Sequence, residues 1–430
     1  MRSERPLRIV QKSRESAMGI QRQWQGWVSR FTWYQSASTP SSRLARQMRS
    51  SGVQTQESSA LPDMIDLSGG DPATQGAILE VVRPSPTFGQ MPPAGGTAEL
   101  REAIFRHEEL HLGIAPGDGL VATHGATGAF QAIGDAFLDR KAPVVVCDPG
   151  CPMHSRVLGF RGAQIRHLGV APNEKGELGF DTSEMSRVVQ GARMLVLSQP
   201  NNPDGGLWDG QALEELKWWS RRRDMLVVID ESHAGFIPEE IRNAQLWRSG
   251  WEGRALFVGS LSKSHAASGA RIGWVRGPQD LIEPVFRVSQ IQGAGISWPS
   301  EKAALRLLGS PGVADNFLLR MTDIRTWATR QLEALGMKPS PTKAGIFLWM
   351  PTWNIEASSV ALASTWMNAC RVSVAPGEQF GPFSMGHIRL NLASDPGRLE
   401  EGLKRLKVWA ENGPTASSLA PFVSRELRAA

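Results

Sequence analysis

At 430 residues and 41% hydrophobic content, the chain is long enough for two domains around a large core. Its net charge of +5 is unevenly placed: residues 1–58 hold ten Lys/Arg against three acids, a net of +7, which leaves −2 for the remainder. A near-neutral body argues against a nucleic-acid partner, no run is apolar and long enough for a transmembrane helix, and three cysteines (Cys147, Cys151, Cys370) make no disulfide framework, which points to a reducing, cytoplasmic setting.

Residues 1–58 are rich in Arg, Ser and Gln. Ile20, Trp24, Trp27, Val28 and Phe31 fall at helical spacing, which predicts a short amphipathic helix. The segment reads as a loose extension, one that packs on a partner subunit, or a targeting or membrane-surface stretch. The globular chain starts near Met64, and a helical pattern runs on from Leu100. That helix holds His107-Glu108-Glu109-Leu110-His111, the spacing of a zinc-protease motif. No third ligand follows at useful spacing, so a charged outer helix face is the simpler reading.

Next, Leu120 to Thr123 reads as a strand, His124 to Gly128 as a glycine turn and Ala129 to Leu138 as a helix. Backbone N–H groups at such a helix start face an anion. Ala142 to Cys147 is an apolar strand that ends in Asp148-Pro149-Gly150-Cys151. Met194 to Leu197 is another, followed by Asn201-Asn202-Pro203-Asp204-Gly205. Met225 to Ile229 ends in Asp230, and a carboxylate at a buried strand end is costly unless paired.

Ala255 to Val258 then leads into Ser260-Leu261-Ser262-Lys263, with Gly269, Arg271 and a short apolar run, Ile272 to Val275. The lysine is either a solvated loop charge or a nucleophilic amine. Two hydroxyls and an arginine beside it make a phosphate-binding set. Gln290 to Trp298 reads as a polar loop, Val313 to Leu335 as a long helix and Gly345 to Met350 as a strand. Arg389 lies in the apolar stretch Gly386 to Ala393, where its planar fork suits a carboxylate. Residues past about Asn412 read as a loose tail.

The Ser-x-Ser-Lys element, with glycine six residues after the lysine and arginine eight after, resembles the lysine signature of the fold-type I pyridoxal-phosphate enzymes, the class I/II aminotransferases. Five motifs recur in family order over residues 64–412. The resemblance implies an α/β, aspartate aminotransferase-like fold. Its large domain, residues 98–305, would carry a mainly parallel seven-stranded sheet flanked by helices. Residues 59–97 and 306–412 would form a smaller α/β domain, between the extension 1–58 and the tail 413–430.

The resemblance also implies pyridoxal 5′-phosphate as cofactor, an amino acid and a 2-oxo acid as substrates, and a homodimer. Lys263 would form the Schiff base and move the Cα proton. Asp230 would pair with the ring nitrogen and Asn202 with the ring oxygen. Gly125, Ala126, Thr127, Ser260 and Arg271 would hold the phosphate. Gly70, Asn202 and Arg389 would meet the substrate, and Ser297 would touch the partner's phosphate. Three positions depart from the family pattern: Cys151 replaces a stacking aromatic ring, which leaves His154 as an alternative cover, while His233 and Met91 replace tyrosines. These departures keep open a lyase or decarboxylase on the same cofactor, or a catalytically silent binding protein.

Overall fold

The apolar runs become strands whose side chains alternate between two cores. The computed structural model describes residues 63–69, 91–112, 118–238, 247–293, 295–310, 312–352, 355–356 and 358–412, without the side chains of 111 and 112. The expected amphipathic helix in the extension, Gly70 and the C-terminal tail lie outside the described residues.

Fourteen strands are found among the described residues. They are β1 (Ile65–Asp66), β2 (Asp118–His124), β3 (Pro143–Asp148), β4 (Gln164–Pro172), β5 (Glu177–Phe180), β6 (Met194–Ser198) and β7 (Leu207–Trp208). Then come β8 (Leu226–Asp230), β9 (Ala255–Ser260), β10 (Ile272–Pro278), β11 (Phe347–Pro351), β12 (Val372–Ser373), β13 (Ala375–Pro376) and β14 (His387–Asn391). The main sheet has the order β2-β10-β9-β8-β6-β3-β4-β5-β7. Along its centre, Leu195, Leu197, Val227 and Ile229 enter one core, while Met194, Val196, Val228 and Val258 enter the other. Burial on both faces is why these strands read as continuous apolar runs.

The sheet has nine strands where seven were expected: the six apolar runs became β2, β3, β6, β8, β9 and β10, and β4, β5 and β7 join them. Of these, β5 and β7 are short, four and two residues, and carry little periodic signal. β10 runs antiparallel to both β9 and β2, so β2 points the same way as β9. The connection from Ser260 to Ile272 is too short for a crossover helix, and an antiparallel return is what remains. β3, β6, β8 and β9 are mutually parallel along the sheet. The carboxyl ends of β2, β3, β6, β8 and β9 therefore meet at one edge, where open α/β sheets bind ligands.

Helix α1 (Ala98–Leu112) buries Leu100 and Ile104, and α2 (Gly125–Phe137) buries Phe130 and Ile133 against the sheet. A second, three-stranded sheet, β11-β14-β13, is antiparallel, and β1 pairs with β12. Leu348, Met350, Ile388 and Leu390 form its core with Trp366 and Leu403. Asp148, fully buried at the end of β3, joins the two regions by accepting from Ser384 Oγ at 2.7 Å and from the Phe383 N–H at 3.1 Å.

Two sequence expectations are corrected. Gln290 to Gly293 is not loop but the last turn of a helix, Gln279–Gly293. Its polar side chains face solvent, which a helix tolerates as readily as a loop. Glu108 is not on a charged outer face: it is 1% exposed, 3.1 Å from Arg276 Nε and 3.6 Å from Arg248 Nη2. Glu231 and Asp118 complete this ionic cluster, and His107 packs edge-on against His265. The arginines that hold Glu108 inside come from far along the chain. The His111 side chain lies outside the described residues.

Candidate active site

Asp230 is the floor of the functional edge. It ends β8 with 5% exposure. His154 Nε2 lies 2.8 Å from its Oδ2, and the Ser232 N–H donates to Oδ1 at 2.9 Å. Burial alone would raise the carboxyl pKa; the His154 and Ser232 contacts outweigh it and hold the group down at about 2. His154 sits in the first turn of helix α3 (Pro152–Phe160), and its ring packs on Phe130 with centroids 4.5 Å apart. It is thus a partner of the carboxylate. Its i+3 offset from Cys151 at a helix start was the only sequence signal available.

Cys151 caps α3. Its Sγ, a His154 ring nitrogen and an Asp230 oxygen lie within 4.8 Å of one another. Burial first, then the Asp230 charge, push the thiol up to about 11, against the opposing charges of Arg389 and Lys263. The cysteine is therefore a neutral thiol at working pH, within reach of all three charged groups.

Lys263 lies in the single turn Leu261–Ser264 that follows β9. Ser260, its N-cap, has a buried Oγ with no hydrogen-bond partner among the described residues. Ser260 pairs with Gly273 on β10, and Gly273 lies against the Gly125 backbone so closely that a Cβ there would collide with it. Gly125 opens α2 at φ +70°, and a Cβ on it would stand 2.5 Å from Arg271 Nη2. The glycine is what lets that guanidinium sit over the helix start. Arg271 itself donates to Ser268 O at 2.9 Å and to His124 O at 3.5 Å. The N-cap residue of α2, His124, makes no side-chain cap to its first N–H groups. The Thr127 hydroxyl is turned to Met153 Sδ, 2.8 Å away.

Arg389 comes from β14 and is 6% exposed. It donates to Asn202 Oδ1 at 3.0 Å and to the carbonyls of Ser68 and Gly69 at 2.8 and 3.2 Å. Its guanidinium lies 4.0 Å from the Phe347 centroid and 4.8 Å from that of Phe380. His233, buried, meets the other part of the same wall, its ring 5.5 Å from Phe347. The structure thus brings together Lys263, Asp230, Cys151, Asn202, Ser260, Arg271, His233, Arg389 and the Gly125–Thr127 turn. Gly70 lies outside the described residues. Ser297 is exposed, with its Oγ bonded to Ser300 Oγ at 2.8 Å, and Met91 is 80% exposed.

A lysine, a low-pKa buried carboxylate and an anion-binding helix start at one sheet edge define a pyridoxal-phosphate enzyme. Comparison with known proteins places it more narrowly. The family model described as "Aminotransferase class I and II" matches residues 62–406. The LL-diaminopimelate aminotransferase 2 of Trichormus variabilis is 26% identical over 359 residues, 80% of this chain and 90% of that protein. The glutamate-pyruvate aminotransferase AlaC of Escherichia coli is 26% identical over 85% of this chain and 90% of its own. The N-succinyldiaminopimelate aminotransferase structure from Mycobacterium tuberculosis superposes with a TM-score of 0.75 at 20% identity, covering 84% of this chain and 98% of that one. The chain belongs to the class I and II aminotransferase family. It is an aminotransferase, and its cofactor is pyridoxal 5′-phosphate.

Proposed function

We propose that the residues at this edge transfer an amino group between an amino acid and a 2-oxo acid, with Lys263 as the reacting amine. The observation that carries the assignment is Asp230: a buried carboxylate held ionised at the end of β8, which is what a protonated ring nitrogen needs as a partner. Three more features suit the cofactor. The orphaned Ser260 Oγ, the Arg271 guanidinium over Gly125 and the first N–H groups of α2 form a donor set for a phosphate.

When bound, the cofactor supplies an aldehyde that exchanges amine partners and a ring that draws electrons from the substrate Cα. Lys263 would be the amine that holds the cofactor, and its Nζ would be the base that takes the proton from the substrate Cα. Asp230, held ionised by His154, would be the partner of a protonated ring nitrogen. Asn202 and His233 would be the donors for the ring oxygen. Arg389 receives the α-carboxylate, oriented by Asn202 and by the two aromatic rings that flank it. Cys151 would offer the ring a thin, soft cover.

A homodimer and a cytoplasmic location complete the proposal. For the first, Met91 and Ile291 are 80% and 88% exposed. They adjoin segments that line one cavity of about 270 Å³ at Gly95, His124 and Gly293. For the second, all three cysteines are free.

The deciding experiment is a panel of amino acids with and without a 2-oxo acid acceptor, scoring oxo-acid, ammonia and CO2 release together. Acceptor-dependent oxo-acid release is expected. Ammonia or CO2 without an acceptor would mean elimination or decarboxylation. Lys263→Ala should abolish the borohydride-trapped cofactor adduct, and an adduct that survives would remove Lys263 from its role.

A further inference from the structure

The turn that carries Asn202 contains a titratable group that the proposed reaction does not use. Asp204 has no exposed surface. Its Oδ1 accepts from the Gly206 N–H at 2.8 Å, and its Oδ2 accepts from the Asn201 amide at 3.1 Å. The same Asn201 amide donates to Pro149 O at 3.1 Å. One carboxylate thus shapes the Asn201–Gly206 turn and, through Asn201, ties it to the turn that leads into Cys151.

The opposite side of the turn is equally constrained. A Cβ at Gly205 would collide with the Ala344 carbonyl and with Thr342 Oγ1. That 342–345 strap is held by the buried Arg325, which donates to Gly345 O at 2.6 Å. Asn202, in the middle of this turn, accepts from Arg389 at 3.0 Å.

Keeping Asp204 ionised is costly. Burial raises its pKa to about 6, and the bonds from Gly206 and Asn201 offset only part of that. On β3 the titratable group that feels its charge is Cys147; burial, then Asp204 and Asp148, keep that thiol protonated. On the strap side, Lys343 Nζ lies 3.1 Å from Glu177 Oε1. Among the described residues Asp204 has no ion-pair partner.

We propose that Asp204 is a positioning residue for amino-acid binding: its ionised carboxylate holds Asn202, and through it Arg389, in the geometry that receives the α-carboxylate, and its protonation releases that hold. The inference rests on reading Arg389 as the substrate clamp.

The test measures KM and kcat of the holoenzyme from pH 5 to 8 with the best amino donor of the panel above. Between pH 7 and pH 5 the ionised fraction of such a group falls from about nine-tenths to about one-tenth. Wild-type KM should therefore rise about tenfold, with kcat changing less. Asp204→Asn should show a KM about five- to thirtyfold higher at pH 7, the loss of one charge-assisted hydrogen bond, and should lack the rise in KM between pH 7 and pH 5. Asn201→Ala removes one donor to the carboxylate and should move the wild-type limb to higher pH, which decides the matter if Asp204→Asn does not fold. A wild-type KM that is flat from pH 5 to 7, a limb retained in Asp204→Asn, or an unmoved limb in Asn201→Ala would each overturn the inference alone. A wild type that turns over no panel amino acid would overturn the functional reading beneath it.

Discussion

Removing the His154 imidazole should free the protonation state of Asp230 and make cofactor binding depend on pH. In the native site Asp230 is held at about 2, nearly two units below the ordinary aspartate value of 3.8. Two units correspond to roughly 2–3 kcal/mol. Because the folded value lies below the unfolded one, that stabilisation is fully present above about pH 4 and is lost as pH falls towards 2. In His154→Ala only the Ser232 contact remains against burial at 5% exposure. Burial then prevails, and the carboxyl pKa rises past its ordinary value. Titrating apo-protein with pyridoxal 5′-phosphate, followed by cofactor absorbance, reads the consequence. Wild-type affinity should show no Asp230 limb down to about pH 4. The variant should lose about tenfold per pH unit below its raised pKa and bind at least about tenfold more weakly at pH 5, with a much smaller gap at pH 8. His154→Gln, which keeps a neutral donor, should fall between the two. Superimposable affinity–pH curves for wild type and His154→Ala from pH 5 to 8 would refute the role given to His154.

Three further outcomes follow from the site. Gly125→Ala places a methyl group 2.5 Å from Arg271 Nη2 at φ +70°, so the guanidinium must move; cofactor affinity should fall about tenfold with the fold intact by circular dichroism. Arg389→Lys replaces a planar fork with a point charge, and KM for the amino acid should rise about thirty- to several-hundredfold, an equivalent of about 2–4 kcal/mol, with cofactor retained. His233→Phe should remove one component from the pH titration of the cofactor absorbance while leaving the cofactor bound, because an imidazole can gain a proton and a phenyl ring cannot. Identical titration curves would reduce His233 to a packing residue beside Phe347.

The chain's own order of residues was enough to place Lys263, Asp230, Asn202, Arg271 and the Gly125–Thr127 turn at strand ends. Each belongs to a short unit, an apolar run followed by a polar turn, and such a unit announces itself locally. Burial on both faces of the sheet made those runs continuous and easy to read. What the tertiary structure decided were the pairings. His154 and Asp230 are 76 residues apart, Arg389 and Asn202 187, and Arg276 and Glu108 168. No local pattern encodes which titratable group will find a partner at such separations, and it is the partner that sets charge and orientation. Hence Glu108 read as an exposed charge although two arginines hold it inside, and the bond from His154 to Asp230 had no counterpart in the sequence. Asp204 gave no sequence signal beyond a turn residue. Its burial, and with it the pKa of about 6, exists only in the folded turn, which the 342–345 strap meets at Gly205 from the far end of the chain.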